Sequence, residues 1–252
     1  MIRNLVFFAA FLVGAPSALA QNQVEVEYAH ATLTSGYSAW NDVNTFNYFA
    51  LGSQQFVLEA DYKNHFDESA ALIGLTYTHV YDPLWYQDFS LSFSTNSSII
   101  PALVAFSELH RKLLSDQSLV VGLGVGYNID KDPYTDADLL AEAVYYLDAH
   151  FSLQAGARFN LSSPGSVLTA RGFGSVNFGY EKWQAYLRFE AGREGYTIVA
   201  DNDFQNEFAS RDEAASVRYW FKTSMGVGAR LDYYQSDFYN RNEIAIDFLL
   251  RY

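Results

Sequence analysis

Ile244-Ala245-Ile246-Asp247-Phe248-Leu249-Leu250-Arg251-Tyr252 decides the fold. Ile244, Ile246, Phe248, Leu250 and Tyr252 occupy alternate positions. Ala245, Asp247, Leu249 and Arg251 lie between them. Side chains along a strand alternate between faces, so this stretch has one apolar, aromatic face and one mixed, partly charged face. A wall with lipid on one side and a polar lumen on the other demands that alternation. A last strand ending on an aromatic residue is expected of an outer-membrane β-barrel, where the barrel-assembly machinery reads it.

The same pattern recurs upstream. Val24, Val26 and Tyr28 alternate with Glu25 and Glu27. Leu58 and Tyr62 alternate with Glu59, Asp61 and Lys63. Phe89, Leu91 and Phe93 alternate with Ser90, Ser92 and Ser94. Leu119, Val121, Leu123, Val125, Tyr127 and Ile129 alternate with Gly122, Gly124, Gly126 and Asn128. The segment from Pro101 to Leu114 is ambiguous, because Leu103, Leu109 and Leu113 would also suit a helix. It is assigned as a strand, because an up-and-down barrel needs an even count. The expectation is an all-β, transmembrane, antiparallel up-and-down barrel of about 14 strands, with 12 as the alternative.

Short turns are expected at Gly52-Ser53, Tyr81-Asp82-Pro83, Ser115-Asp116-Gln117, Asp148-Ala149-His150, Glu181-Lys182 and Lys222-Thr223-Ser224. Longer polar loops are expected around 38–44, 64–68, 95–101, 131–136, 162–166, 199–212 and 236–242. That rhythm separates a periplasmic rim, holding both termini, from an outer rim.

The 252 residues include 19 Tyr, 20 Phe and no Cys, which fits interfacial aromatic girdles and argues against a disulfide or thiolate-zinc scaffold. The net charge of −13 is a poor match to nucleic acid. Met1 to Asn4 forms a short positive start, and Leu5 to Val13 an apolar core. Ala18-Leu19-Ala20 resembles a cleavage site, so residues 1–20 read as a signal peptide cut after Ala20 and 21–252 as one barrel domain.

Register places Glu25, Glu27, Glu59, Asp61, Lys63, Glu142, Arg158, Arg171, Arg188, Glu190, Arg218, Arg230, Asp232, Asp247 and Arg251 inside. The arginines gather on the C-terminal strands and carboxylates dominate the N-terminal ones. One reading is a salt-bridge lattice that fills and stiffens the barrel. The sharper reading is a transverse field across a water-filled pore, favouring polar or anionic solutes. The inward glycines Gly122, Gly124, Gly126, Gly226 and Gly228 are expected to make room for Tyr186, Trp220 and Tyr234. Trp40, Trp85 and Trp183 are expected near strand ends, as interfacial anchors.

Catalytic signals are weak, and no enzyme is expected. His65 with Asp67 and Glu68, read as an outer loop, is the one candidate. There is no G-x-S-x-G elbow, H-E-x-x-H helix, P-loop or Cys/His metal set. Asp130-Lys131-Asp132 and Asp201-Asn202-Asp203 lack the spacing of a calcium loop. No cofactor or metal is therefore expected.

The strand Leu119 to Tyr127, the hairpin Tyr180-Glu181-Lys182-Trp183 and the run Ser224 to Tyr252 resemble YaiO-type outer-membrane β-barrels. The resemblance covers roughly 24–252 and implies a surface location rather than a chemistry. Tyr252 stands where Phe is commoner in such proteins. The expected surroundings are outer-membrane lipid and a polar or polysaccharide solute.

Overall fold

The computed structural model describes residues 22–130, 133–195, 197–199, 202–204 and 207–252. The signal peptide with its cleavage site, Lys131-Asp132 and Asp201 lie outside the described residues. Period-2 patterning yields strands throughout: β1 (Gln23–Leu33), β2 (Trp40–Leu51), β3 (Gln54–His65), β4 (Glu68–Val80), β5 (Trp85–Ser94), β6 (Leu103–Leu113), β7 (Leu119–Ile129) and β8 (Thr135–Tyr146). They continue as β9 (Phe151–Ser163), β10 (Val167–Tyr180), β11 (Trp183–Glu194), β14 (Phe208–Trp220), β15 (Met225–Ser236) and β16 (Asn240–Arg251). A small hairpin, β12 (Thr197–Val199) with β13 (Asn202–Phe204), sits between β11 and β14.

Each long strand pairs antiparallel with its chain neighbours, and β1 pairs with β16, from Gln23↔Arg251 to Leu33↔Arg241. The result is a closed barrel of 14 strands, which leaves no unpaired edge in lipid. The segment around Leu109 is strand β6, with Leu109 exposed on the outer face.

The outer surface is apolar. Leu123 is 58% exposed and Ile246 63%, whereas Asp247 and Leu249 of the same β16 are 3% and 0% exposed. Ile244, Phe248, Leu250 and Tyr252 share the exposed face. Near the rim that carries the termini, Phe49, Phe56, Tyr77 and Phe89 stack in a row across β2 to β5, with centroid spacings of 5.2, 5.1 and 6.2 Å. Trp183 and Tyr219 continue the belt on β11 and β14. Side chains also close the turns at this rim. The Asp148 carboxylate accepts the N–H groups of His150 (2.6 Å) and Phe151 (2.9 Å), which hold its pKa below the usual carboxylate range.

The opposite rim departs from the expected long loops. Residues 64–68 form a tight hairpin with only Phe66 and Asp67 between strands, both at positive φ (53° and 64°), as a type I′ turn requires. β8 starts at Thr135, β14 at Phe208 and β16 at Asn240, so the ladders run further than the apolar pattern does. These strand ends keep backbone pairing while carrying polar side chains, such as Arg211, Glu213 and Asn242, on the outer face as well. Hydrophobic alternation therefore fades before the strand stops.

Candidate functional site

Around the closure seam, buried cations and carboxylates interlock. Arg218 of β14 contacts Glu25 of β1 and places Nε 3.2 Å from Asp247 of β16. Arg230 of β15 reaches Glu27 (3.1 Å), Glu243 (2.9 Å) and Asp232 (3.7 Å). Arg241 lies 3.0 Å from Asp232, with its guanidinium over Trp40 and Tyr234. Such pairs offset one another's desolvation only when complete, so each member depends on its partners.

On the next wall, Arg158 and Arg171 face each other directly in the β9–β10 register, and Arg188 follows on β11. Two like charges at opposed positions repel. Glu190 relieves this by contacting both Arg188 and Arg171 (3.1 Å), and Glu194 adds a contact at 2.9 Å. A cavity of about 130 Å³ lies against this wall, lined also by Asp136 and Asp138.

A third group holds the acids of β2 and β3. Lys63 binds Asp61 (3.2 Å), Asp42 (3.6 Å) and Asn44 (3.0 Å), and the buried Glu59 lies over Gly74, filling the space a side chain there would take. A cavity of about 90 Å³ adjoins them. Glu142 belongs elsewhere: its carboxylate accepts from Gln154 (2.9 Å) on β9. Arg251 packs its guanidinium 3.4 Å from the centroid of the Trp220 ring.

Three expectations need correction. His65 is no loop residue: it ends β3, is 3% exposed, sits 2.8 Å from Asp42 Oδ1 and stacks on Trp40 at 4.0 Å. Asp67 is in the turn, and Glu68 starts β4 and accepts from Asn96, so the acid that His65 meets is Asp42 and neither of these. Trp40 is buried inside the barrel rather than anchored at an interface. The inward glycines serve other neighbours than expected. Gly124 and Gly126 face Phe106, Gly228 faces the Asp247 carboxylate, and Gly122 faces Glu108, His110 and Glu142. Gly226 does lie under Trp220, at 3.1 Å.

Several lumen residues were not singled out from sequence: Asp42, Asp88, Glu108, His110, Glu194, Arg241 and Glu243. Extending the last strand's alternation back from Asp247 reaches Glu243 in two steps and Arg241 in three. The same step from Ser90 reaches Asp88.

Continuous pairing, a lipid-type exterior and an ion-paired lumen define a membrane β-barrel. The chain belongs to the family described as the YaiO membrane beta barrel domain, which matches residues 21–197. The match ends beyond β11, so the strands that close the barrel lie past it. Among curated proteins, none matches. Solved structures share the fold at low identity. One described as a bacterial polysaccharide outer membrane secretin is 9% identical with a TM-score of 0.60, covering 94% of this chain and all of that one. The CymD monoaromatic hydrocarbon channel is 9% identical with a TM-score of 0.56, covering 92% of this chain and 88% of that one. Omp33 of Acinetobacter baumannii is 13% identical with a TM-score of 0.54, covering 92% and 99%.

Proposed function

We propose that this protein is a narrow outer-membrane channel for small polar solutes, anions foremost, with both termini in the periplasm. The supporting observation is the row Arg158, Arg171 and Arg188 on three adjacent strands, beside a cavity that Asp136 and Asp138 also line. Cations on one wall and carboxylates on another give a transverse field, which orients dipolar solutes and favours anions near the basic side. The two cavities against these charged walls, about 130 and 90 Å³, are below the roughly 300–1,000 Å³ of drug-sized ligand sites. Water and small ions suit that scale. A polysaccharide would have to displace ion-paired side chains, so the secretin-like fold supports the architecture more than the cargo.

The seam lattice favours a second reading, a structural barrel with a plugged lumen. Planar-bilayer recording separates the two. A channel shows stepwise conductance with anion preference, reduced when Arg158, Arg171 and Arg188 are replaced together by Gln. A silent bilayer, with protein whose gel mobility still shifts on heating, selects the plugged barrel.

A further inference from the structure

The lumen holds a second constellation away from the seam, with Arg158 the cation that acts on both of its glutamates. Glu108 and His110 on β6 point inward with Glu142 on β8, and one potential ligand atom from each lies within 4.8 Å of the others. They converge on the space over Gly122 of β7, which pairs with His110 on one side and Glu142 on the other. A Cβ built on Gly122 would collide with Glu108 Oε1 and lie 3.1 Å from both His110 Nδ1 and Glu142 Cγ. The missing side chain is what opens this space.

Each donor is held from behind. His110 Nε2 lies 3.1 Å from Asp88 Oδ2, and Asp88 in turn accepts from Thr78. With its proton on Nε2, the ring offers the Nδ1 lone pair to the space over Gly122. That is the carboxylate–histidine support typical of metal ligands. Tyr86 stacks on the ring at 4.4 Å and 9°, fixing its plane. Gln154 donates to one oxygen of Glu142 at 2.9 Å. Tyr86, Val120 and Val144 form an apolar cluster toward the terminal-bearing rim. Glu142 is the least buried of the three.

One atom is left over. Glu108 is 3% exposed and its Oε1 has no N–H donor; what lies beside it is the Glu142 carboxyl, a like charge when both are ionised. A buried carboxylate oxygen without a donor is costly, and a cation would satisfy it. We propose that Glu108, His110 and Glu142 bind a divalent transition-metal ion, with zinc the best fit. An imidazole among the donors favours zinc over calcium or magnesium, which prefer all-oxygen shells. Three protein ligands leave a fourth position for water. Rotation of the two glutamates draws the donors in to bonds of about 2.0–2.2 Å.

Protein purified from membranes in detergent, stripped with EDTA and dialysed against zinc chloride, is expected to retain about one zinc per chain by elemental analysis. Cobalt in its place should give visible d–d absorption that zinc displaces. His110→Ala and Glu142→Gln should weaken retention by about tenfold or more, and His150→Ala in an exposed turn should not. Gly122→Ala keeps every ligand and fills the space; it should also lose zinc while its gel mobility still shifts on heating. Stripped native protein that leaves dialysis without zinc overturns the proposal. So does zinc held equally well by folded His110→Ala, Glu142→Gln or Gly122→Ala.

Discussion

Arg241 holds its guanidinium 5.1 Å from the centroid of the Trp40 ring, joining the last strand to the second over the inner face of β1. Trp40 also stacks on His65 and meets Phe66 edge-on at 5.1 Å. One indole thus ties β2, β3 and β16 together near the rim opposite the termini. Trp40→Ala removes a fully buried ring and should destabilise the barrel by about 3–5 kcal/mol, read by urea unfolding in lipid vesicles. A loss under about 1 kcal/mol would mean that Trp40 is not part of the packed interior.

Arg218 should be more costly to remove alone than together with its partners. Arg218→Met leaves Glu25 and Asp247 buried without their shared cation, an expected loss of about 3–5 kcal/mol. The triple variant that adds Glu25→Gln and Asp247→Asn should recover much of it. Equal losses in the single and triple variants would show that the pairing carries no weight.

Leu123 tests the outer wall. It lies at the middle of β7 and is 58% exposed. Leu123→Arg should cost about 2–4 kcal/mol in vesicles, the penalty for a charge near mid-bilayer on a barrel exterior. Lipid contact predicts that the same change at Leu147, in the rim turn, costs far less. Equal costs at both positions would place the bilayer elsewhere.

Acid should expose the turn at Asp148. Two N–H donors hold its carboxylate pKa below the unfolded value, so its stabilising effect is present above that value and disappears as pH falls through the folded one. The melting difference between native protein and Asp148→Ala, followed by loss of heat-modifiable gel mobility, should be largest near neutral pH. It should shrink as pH falls through the folded-state pKa, which lies below the ordinary aspartate value. A difference that persists below it would assign the effect to packing rather than charge.

The architecture was readable because lipid enforces a strict rule on every second residue. Val26, Leu91 and Ile246 could be placed outside from their spacing alone. Reading weakened wherever lipid stopped imposing that rule. Thr135 to Asp138 and Phe208 to Asp212 are strand, but water and lumen on their two sides tolerate polar residues, so they read as loops. Phe46 and Tyr48 turn inward from β2, which blurred its alternation. The charged positions inside were legible one strand at a time. Their partners were not, because pairing across a lumen depends on barrel circumference and stagger, which leave no local signature. Glu108 and His110 were obscured for both reasons: their segment had an ambiguous period, and their third companion sits two strands away.

The contact between Arg218 and Glu25 spans 193 positions of the chain. A half-made barrel therefore carries acids on its first strand long before the matching guanidinium has been synthesised. Neutralisation and closure arrive together, at the end. Truncation before β14 removes both guanidinium partners of Glu25 and Glu27, so the cost of an unfinished wall is electrostatic as well as a matter of open backbone edges.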